Sequence, residues 1–377
     1  MKLAAAILGG LLVLLVLLDA FETVILPRRV TRKFRLTRAF YKITWGTWGL
    51  IASLAPRKRR EMLFSFFGPL SLLGLLVVWA IGLVAGFALV QWSYQLPLNV
   101  SAAHSFGTYV YLSGTTFFTL GLGDLVPVSR LGRALAVLEA GTGFGFLAMV
   151  LGYLPVLYQA FSKREADISL LDARAGSPPT AGELLRREGS DNDFESLRQL
   201  FYEWERSSAQ IMESHLSYPV LAYFRSQHDN QNWLAALTAI LDACALSLLT
   251  CSGRCQQQCR LTFAMARHAV VDLAQVFGVP PVRDGEDRLT DEQFVWLEGV
   301  LPGDSAVPTS PNRLREDLSR LRALYEPYVL ALAQYLRLSL PAWAPVSRKS
   351  DNWQTSAWER TSIRSLPIDD ARDDEHS

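Results

Sequence analysis

From Met62 to Gly123 the chain carries no Lys, Arg, Asp or Glu, and a second uncharged stretch runs from Ala140 to Ser162. Crossing the hydrocarbon core of a bilayer takes about 20 apolar residues in a helix, with every backbone N–H and C=O paired inside it. Soluble cores rarely supply such runs, so the first 162 residues predict a membrane protein whose first partner is the lipid bilayer. The rest of the 377 residues is charged and Pro-punctuated, as in a soluble domain. A formal net charge of +1, without a basic stripe interleaved with aromatics, predicts no nucleic-acid partner.

Charge placement sets the topology. Leu3 to Leu18 is an apolar run followed by Asp19-Ala20-Phe21-Glu22. A cleaved signal peptide would need a stronger basic start than Lys2 and a small-x-small site. It would also leave Arg28, Arg29, Arg32, Lys33, Arg35 and Arg38 outside, against the positive-inside rule. A retained anchor helix over residues 1–27, with its N-terminus outside, is expected. Residues 28–61 are read as a basic cytosolic segment with an apolar helix over 40–55. That helix lies between two basic clusters, the second being Arg57-Lys58-Arg59-Arg60. Lying in the interface, with Trp45 and Trp48 at headgroup depth, keeps both clusters inside; a shallow span is the alternative. Leu63 to Trp92 then crosses outward and Leu131 to Phe161 crosses back, placing the C-terminal half in the cytosol.

Between these two spans, His104 to Phe118 reads as an uncharged helix too short to cross. It leads into Thr119-Leu120-Gly121-Leu122-Gly123-Asp124. Irregular backbone at membrane depth is tolerated only where protein buries it or water lines it, so a re-entrant loop is expected. Stacked rings of backbone carbonyls can replace the hydration shell of a potassium ion. Turning successive carbonyls to one axis requires alternating backbone handedness, which Gly121 and Gly123 allow at little steric cost. Thr119 adds a hydroxyl at the inner end. Asp124, at the outer mouth, can pin the loop and concentrate cations.

Thr119 to Arg133, TLGLGDLVPVSRLGR, resembles the filter and following segment of the potassium channel pore family, whose usual core is T-V-G-Y-G-D. The likeness continues through Asp124-Leu125, Pro127-Val128 and Gly132-Arg133. It covers about one hundred residues, Leu63 to Phe161, so the pore domain is drawn at 62–162. Leu120 and Leu122 depart from the usual Val and Tyr. Leu in the latter place is also found in the second pore loops of two-pore-domain potassium channels. The resemblance implies potassium sites at Thr119, Leu120, Gly121 and Leu122. One loop cannot close a ring, so four copies with cyclic symmetry are expected.

The returning span carries Gly141, Gly143, Gly145, Gly152 and Pro155. Gly143 lies where the resembling family keeps its hinge glycine. Pro155 removes a backbone donor near the cytosolic end, where a gate would lie. Close helix packing is the other use for such glycines. Glu139 is the acid well inside this span, and intramembrane carboxylates are costly and functional by default. It is expected to support the filter through a Thr or Tyr of the pore helix, with proton sensing as the alternative. No helix carries Arg at every third position, so no voltage sensor is expected.

In the C-terminal half, residues 163–190 read as a linker, 191–342 as an all-helical domain of about five helices, and 343–377 as a disordered tail. Leu197, Leu200, Phe201, Trp204, Ile211 and Met212 fall at helical spacing. Further helices are expected over Asn232–Cys251, Gln256–Phe277, Asp291–Val300 and, bent at Pro327, Arg313–Leu338. Cys244, Cys251, Cys255 and Cys259 are spaced as on one helix face; core packing competes with metal or redox chemistry. The fold class is thus an all-α membrane protein: a pore-loop channel, two spans flanking a re-entrant pore helix and filter, with an N-terminal anchor helix and a cytosolic helical bundle. The expected function is a homotetrameric potassium channel of the plasma membrane. It would be no enzyme, have no cofactor beyond permeant potassium, and meet an unidentified cytosolic regulator at the bundle. A non-selective monovalent cation channel and a non-conducting sensor or scaffold are the alternatives.

Overall fold

The computed structural model describes residues 2–26, 35–99, 104–189, 194–226, 231–283, 285, 287–300 and 310–345, side chains excepted at 57 and 58. Much of the first basic cluster and most of the expected disordered tail lie outside the described residues. The described chain is helical and contains no strand, only an isolated antiparallel bridge between Leu98 and Pro127. It divides into two compact units, Met1–Phe161 with Ser217–Phe224, and Ser162–Leu216 with Arg225–Ser377.

The first unit is organised around one long helix. Helix α1 (Lys2–Ala20) ends in a wider turn, Phe21–Ile25, and is followed by α2 (Leu36–Leu54) and α3 (Arg57–Ser93). A bilayer core needs only about 20 of the 37 residues in α3. Helices α1 and α2 run antiparallel to it, one after the other. Gly9 meets Gly86 and Val16 meets Gly82, where an added Cβ would lie 2.7 to 3.0 Å from the facing atoms. Without side chains to hold them apart, α1 and α3 reach backbone contact. Farther along, Phe40 of α2 lies over Gly74, Trp45 meets Phe67 at 4.8 Å, and Trp48 donates to Leu63 O. The 40–55 segment is therefore one flank of a helical hairpin with the first half of α3.

Asp19 fastens this arrangement. Its carboxylate accepts from Thr37 N at 3.1 and 3.3 Å, Thr37 Oγ1 at 2.5 Å and Trp79 Nε1 at 3.0 Å. The residue before α2, Arg35, makes no side-chain cap, so a carboxylate from another helix satisfies an orphan donor at that terminus.

The short helix α4 (Phe106–Phe117) follows α3, and α5 (Arg130–Ala175) is unbroken through Pro155. The first unit also takes in a later 3₁₀ turn, Pro219–Tyr223, a departure from the expectation that 191–342 is one domain.

The second unit contains α6 (Ala181–Glu188), α7 (Glu195–Ser217, less its last residue), α8 (Trp233–Thr250), α9 (Gly253–Phe277), α10 (Asp291–Val300), α11 (Pro311–Arg322) and α12 (Glu326–Leu336). Within 191–342 the described residues form six helices instead of the expected five. Residues 163–190 are not an open linker: α5 continues to Ala175 with Ile168, Leu171 and Ala175 buried, and α6 is capped by Thr180. The expected helix bent at Pro327 is two helices, with Pro327 in the first turn of α12, where a missing N–H costs nothing. Helix α8 is apolar enough to cross a membrane, yet 89% of its apolar stretch is buried by protein, and it is the core helix of this unit.

Two buried polar clusters pin the second unit. Arg288 pairs with Asp242 at 2.8 and 3.0 Å and with Glu326 at 2.8 Å. Trp343 lies beneath Arg288 and Arg322, and its carbonyl accepts Gly182 N, so the chain is packed through Trp343 and Ala344 rather than free from 343. His215 Nδ1 donates to Ile211 O at 2.7 Å, and its Nε2 accepts from Arg164 at 3.2 Å. Burial and the Arg164 charge push this imidazole down to about 3, so it is neutral.

The cysteines do not share one helix face. The chain breaks at Ser252-Gly253, placing Cys244 on α8, Cys251 at its end, and Cys255 and Cys259 on α9. All four are free and buried. Burial raises the Cys244 thiol far above its usual range, which keeps it unreactive. No metal-binding group of His, Cys, Asp or Glu occurs among the described residues.

Candidate pore and its supports

Helix α4 opens with Ser105, whose hydroxyl accepts from Thr108 N at 3.2 Å. Its residues Tyr109, Leu112, Ser113 and Phe117 are buried in the first unit. The helix ends directly before segment 119–124, so the negative end of its dipole faces that segment. Leu120 N folds back on Thr115 O at 2.8 Å, and Thr119 N on Thr116 O at 3.0 Å, closing the helix.

Beyond it the backbone alternates. Thr119, Gly121 and Gly123 have φ of 56°, 56° and 77°, while no positive φ occurs at Leu120 or Leu122. The glycines adopt this conformation readily; at Thr119 it is costly, and its persistence implies support from its surroundings. Leu120 and Leu122 are 61% and 62% exposed in the single chain, and the whole segment 119–124 faces outward.

The end of this segment is fastened twice. Tyr111, on the pore helix, donates from its hydroxyl to Asp124 Oδ2 at 2.8 Å. Asn99 exchanges hydrogen bonds with Val126 through both backbone and side chain, and its Nδ2 reaches Asp124 O at 3.4 Å. Tyr111, which holds Asp124 here, is a residue the sequence reading did not name.

Behind the pore helix, Glu139 of α5 is fully buried. Its Oε2 accepts from Gln91 of α3 at 2.8 Å, and its Oε1 makes a short contact with Ser113 Oγ. The partner on the pore helix is therefore Ser113, in place of the expected Thr or Tyr. Ser113 Oγ also lies 2.8 Å from Val84 O. A serine hydroxyl has one proton. Both contacts are full hydrogen bonds when Glu139 itself carries a proton and donates it to Ser113. One carboxyl thereby ties α3, α4 and α5 together.

Gly143 sits where α5 meets the end of the pore helix: a Cβ added there would be 1.9 Å from Phe117 O. Gly141, Gly145 and Gly152 meet nothing within the chain. Close packing, one of the two expected uses for these glycines, is present at Gly143. Pro155 lies between buried Tyr153 and Leu157.

The sequence reading missed Asp19, Ser113, Gln91 and the apolar turn at 219–223. An acid at the end of an apolar run was the signal for Asp19. A run of apolar residues from Tyr218 to Phe224 between polar helices was the signal for the turn.

Residues 74–159 match the family model described as ion channel. Among curated proteins, the uncharacterized membrane protein YdjJ of Bacillus subtilis (strain 168) is 27% identical over 182 residues, which is 47% of this chain and 52% of that protein. The match thus spans about half the length of that relative. No solved structure matches the chain significantly.

Proposed function

We propose that the chain is one subunit of a homotetrameric channel that lets potassium cross the plasma membrane passively, with its C-terminal half in the cytosol. The observation that carries this reading is the left-handed backbone at Thr119, Gly121 and Gly123, directly after the pore helix. Alternating handedness turns successive carbonyls toward one line, and four such strands around an axis make stacked oxygen rings. The carbonyls of Thr119, Leu120, Gly121 and Leu122 would replace the water of a dehydrating potassium ion. Asp124 would attract cations to the mouth.

The exposure of Leu120 and Leu122 supports assembly, since a lone chain leaves one wall of the pathway uncovered. Conduction requires no bond to be made or broken, so the protein is read as a channel and not an enzyme, with permeant potassium and no cofactor. Its partners would be the lipid bilayer, three further copies and a cytosolic regulator of the helical unit, but no nucleic acid.

The test is ion flux into liposomes holding the purified protein, with sodium as the comparison ion. Potassium-selective flux that disappears in Gly121→Ala is expected. Equal sodium flux would replace the reading by a non-selective cation channel, with Leu122 as the cause. Absence of all flux, persisting after substitutions at Pro155, would favour a non-conducting scaffold.

A further inference from the structure

The segment Tyr218–Phe224 leaves α7 and inserts among the helices of the first unit. Val220, Leu221, Ala222 and Tyr223 are all buried. Val220 and Leu221 form one cluster with Leu72 of α3 and with Tyr153, Leu157 and Phe161 of α5. Tyr223 stacks on Tyr41 at 5.5 Å with rings 5° apart, and meets Trp45 at 5.0 Å and Phe67 at 5.3 Å. Tyr218 packs edge-on against Tyr153, and Phe224 lies 5.7 Å from Phe161. A side chain on Gly68 would begin 2.8 Å from the Phe224 ring. The turn therefore contacts α2, α3 and the filter-distal end of α5 together.

Its place in the chain gives this packing a consequence. Among the described residues after Phe161, only Ser217–Phe224 belong to the first unit. Both covalent ends of the segment lead into the second unit, through Leu216 and Arg225. The α5 residues it touches, Tyr153, Leu157 and Phe161, flank Pro155, where one helix hydrogen bond is missing and bending is easiest. A close-packed cluster is bistable rather than continuously deformable, so a shift of the segment would move this end of α5 between discrete positions.

We propose that Leu221 and Tyr223 are positioning residues for the channel gate: they set where the filter-distal end of α5 rests against α3, and so pass the state of the helical unit to the pore. This rests on the channel reading above. Removing either side chain changes how long the pore stays open while leaving filter geometry untouched.

The test uses the full-length protein in lipid, with two readouts. In single-channel recordings, Leu221→Ala and Tyr223→Ala are expected to change open probability about fivefold in either direction, with unitary conductance and ion preference unchanged. Leu221→Met and Tyr223→Phe, which keep the bulk, should stay at the wild-type level. Paired spin labels at Ser65→Cys and Gln159→Cys, both exposed positions, report the distance between α3 and α5 within one chain when labelled chains are diluted among unlabelled ones. The alanine variants are expected to shift that distance, and the conservative pair to leave it alone. Unchanged distances overturn the proposal whether or not ions flow, as does a distance shift with unaltered open probability. A silent wild type counts against the channel reading, and the distances then still decide whether the turn places α5.

Discussion

The carbonyl oxygen of Phe117, at the end of the pore helix, occupies the space where a side chain on Gly143 would begin. An added Cβ would sit 1.9 Å from it. Helices α4 and α5 are thereby in close contact just before segment 119–124, and that contact depends on one missing methyl group.

Gly143→Ala is accordingly expected to destabilise the pore domain by about 1–3 kcal/mol, the usual cost of forcing atoms into a packed site. Gly141→Ala and Gly145→Ala meet open space within the chain and should be tolerated far better. Thermal unfolding of the three variants in detergent checks this. Equal melting temperatures for all three would show that the Gly143 contact carries no stability.

Glu139 makes a sharper prediction. If its carboxyl carries a proton, Glu139→Gln keeps a donor toward Ser113 and an acceptor toward Gln91 once the amide is oriented. Flux through Glu139→Gln should stay within about twofold of wild type and lose no more than ~1 kcal/mol of stability. Glu139→Ala leaves the Gln91 amide without its acceptor in a buried site and should cost about 1–3 kcal/mol. A Gln variant as damaged as the Ala variant would mean that the ionised carboxylate is what the three helices require.

Asp19 is predicted to matter as much as any residue of the filter support, although it lies in a helix outside the matched pore segment. Asp19→Ala removes the acceptor for Thr37 N, Thr37 Oγ1 and Trp79 Nε1 at once. A loss of about 3 kcal/mol is expected, and Trp79 should become more accessible to quenchers of its fluorescence. Asp19→Asn, which keeps one acceptor, should fall between the two.

The neutral His215 predicts a pH dependence for the helical unit. Its imidazole titrates at about 3 in the folded chain against an ordinary 6.5. The unfolded chain therefore binds the proton first as pH falls. The stability His215 provides is complete above pH 6.5 and is lost progressively as the pH drops toward about 3. The slope should approach ~1.4 kcal/mol per pH unit between those limits. Calorimetry of the full chain between pH 7 and pH 4 checks it. His215→Gln, which can still accept from Arg164 and donate to Ile211 O, should flatten the dependence.

The long apolar helices, the short helix α4 and the alternating backbone of 119–123 were legible from residue order because each depends on neighbours in the chain. An uncharged run long enough to cross makes a helix in lipid whatever surrounds it. The glycines at alternate positions permit the left-handed turns that Gly121 and Gly123 adopt. Helix spacing likewise placed Leu197, Leu200, Phe201, Trp204 and Ile211 on a buried face. What residue order alone did not decide was partnership. Glu139 could have met any polar group of the pore helix; the approach of three helices selected Ser113 and Gln91. Asp19 found Trp79 sixty residues away because Gly82, Gly86 and Gly9 let α1 lie close along α3. The turn at Pro219–Tyr223 looked like part of a soluble bundle, since its hydrophobicity is equally suited to either core. Only the space between α2, α3 and α5 decided which core it joined. Local chemistry dictates elements, whereas the choice among chemically equivalent partners is made by shape and distance across the folded chain.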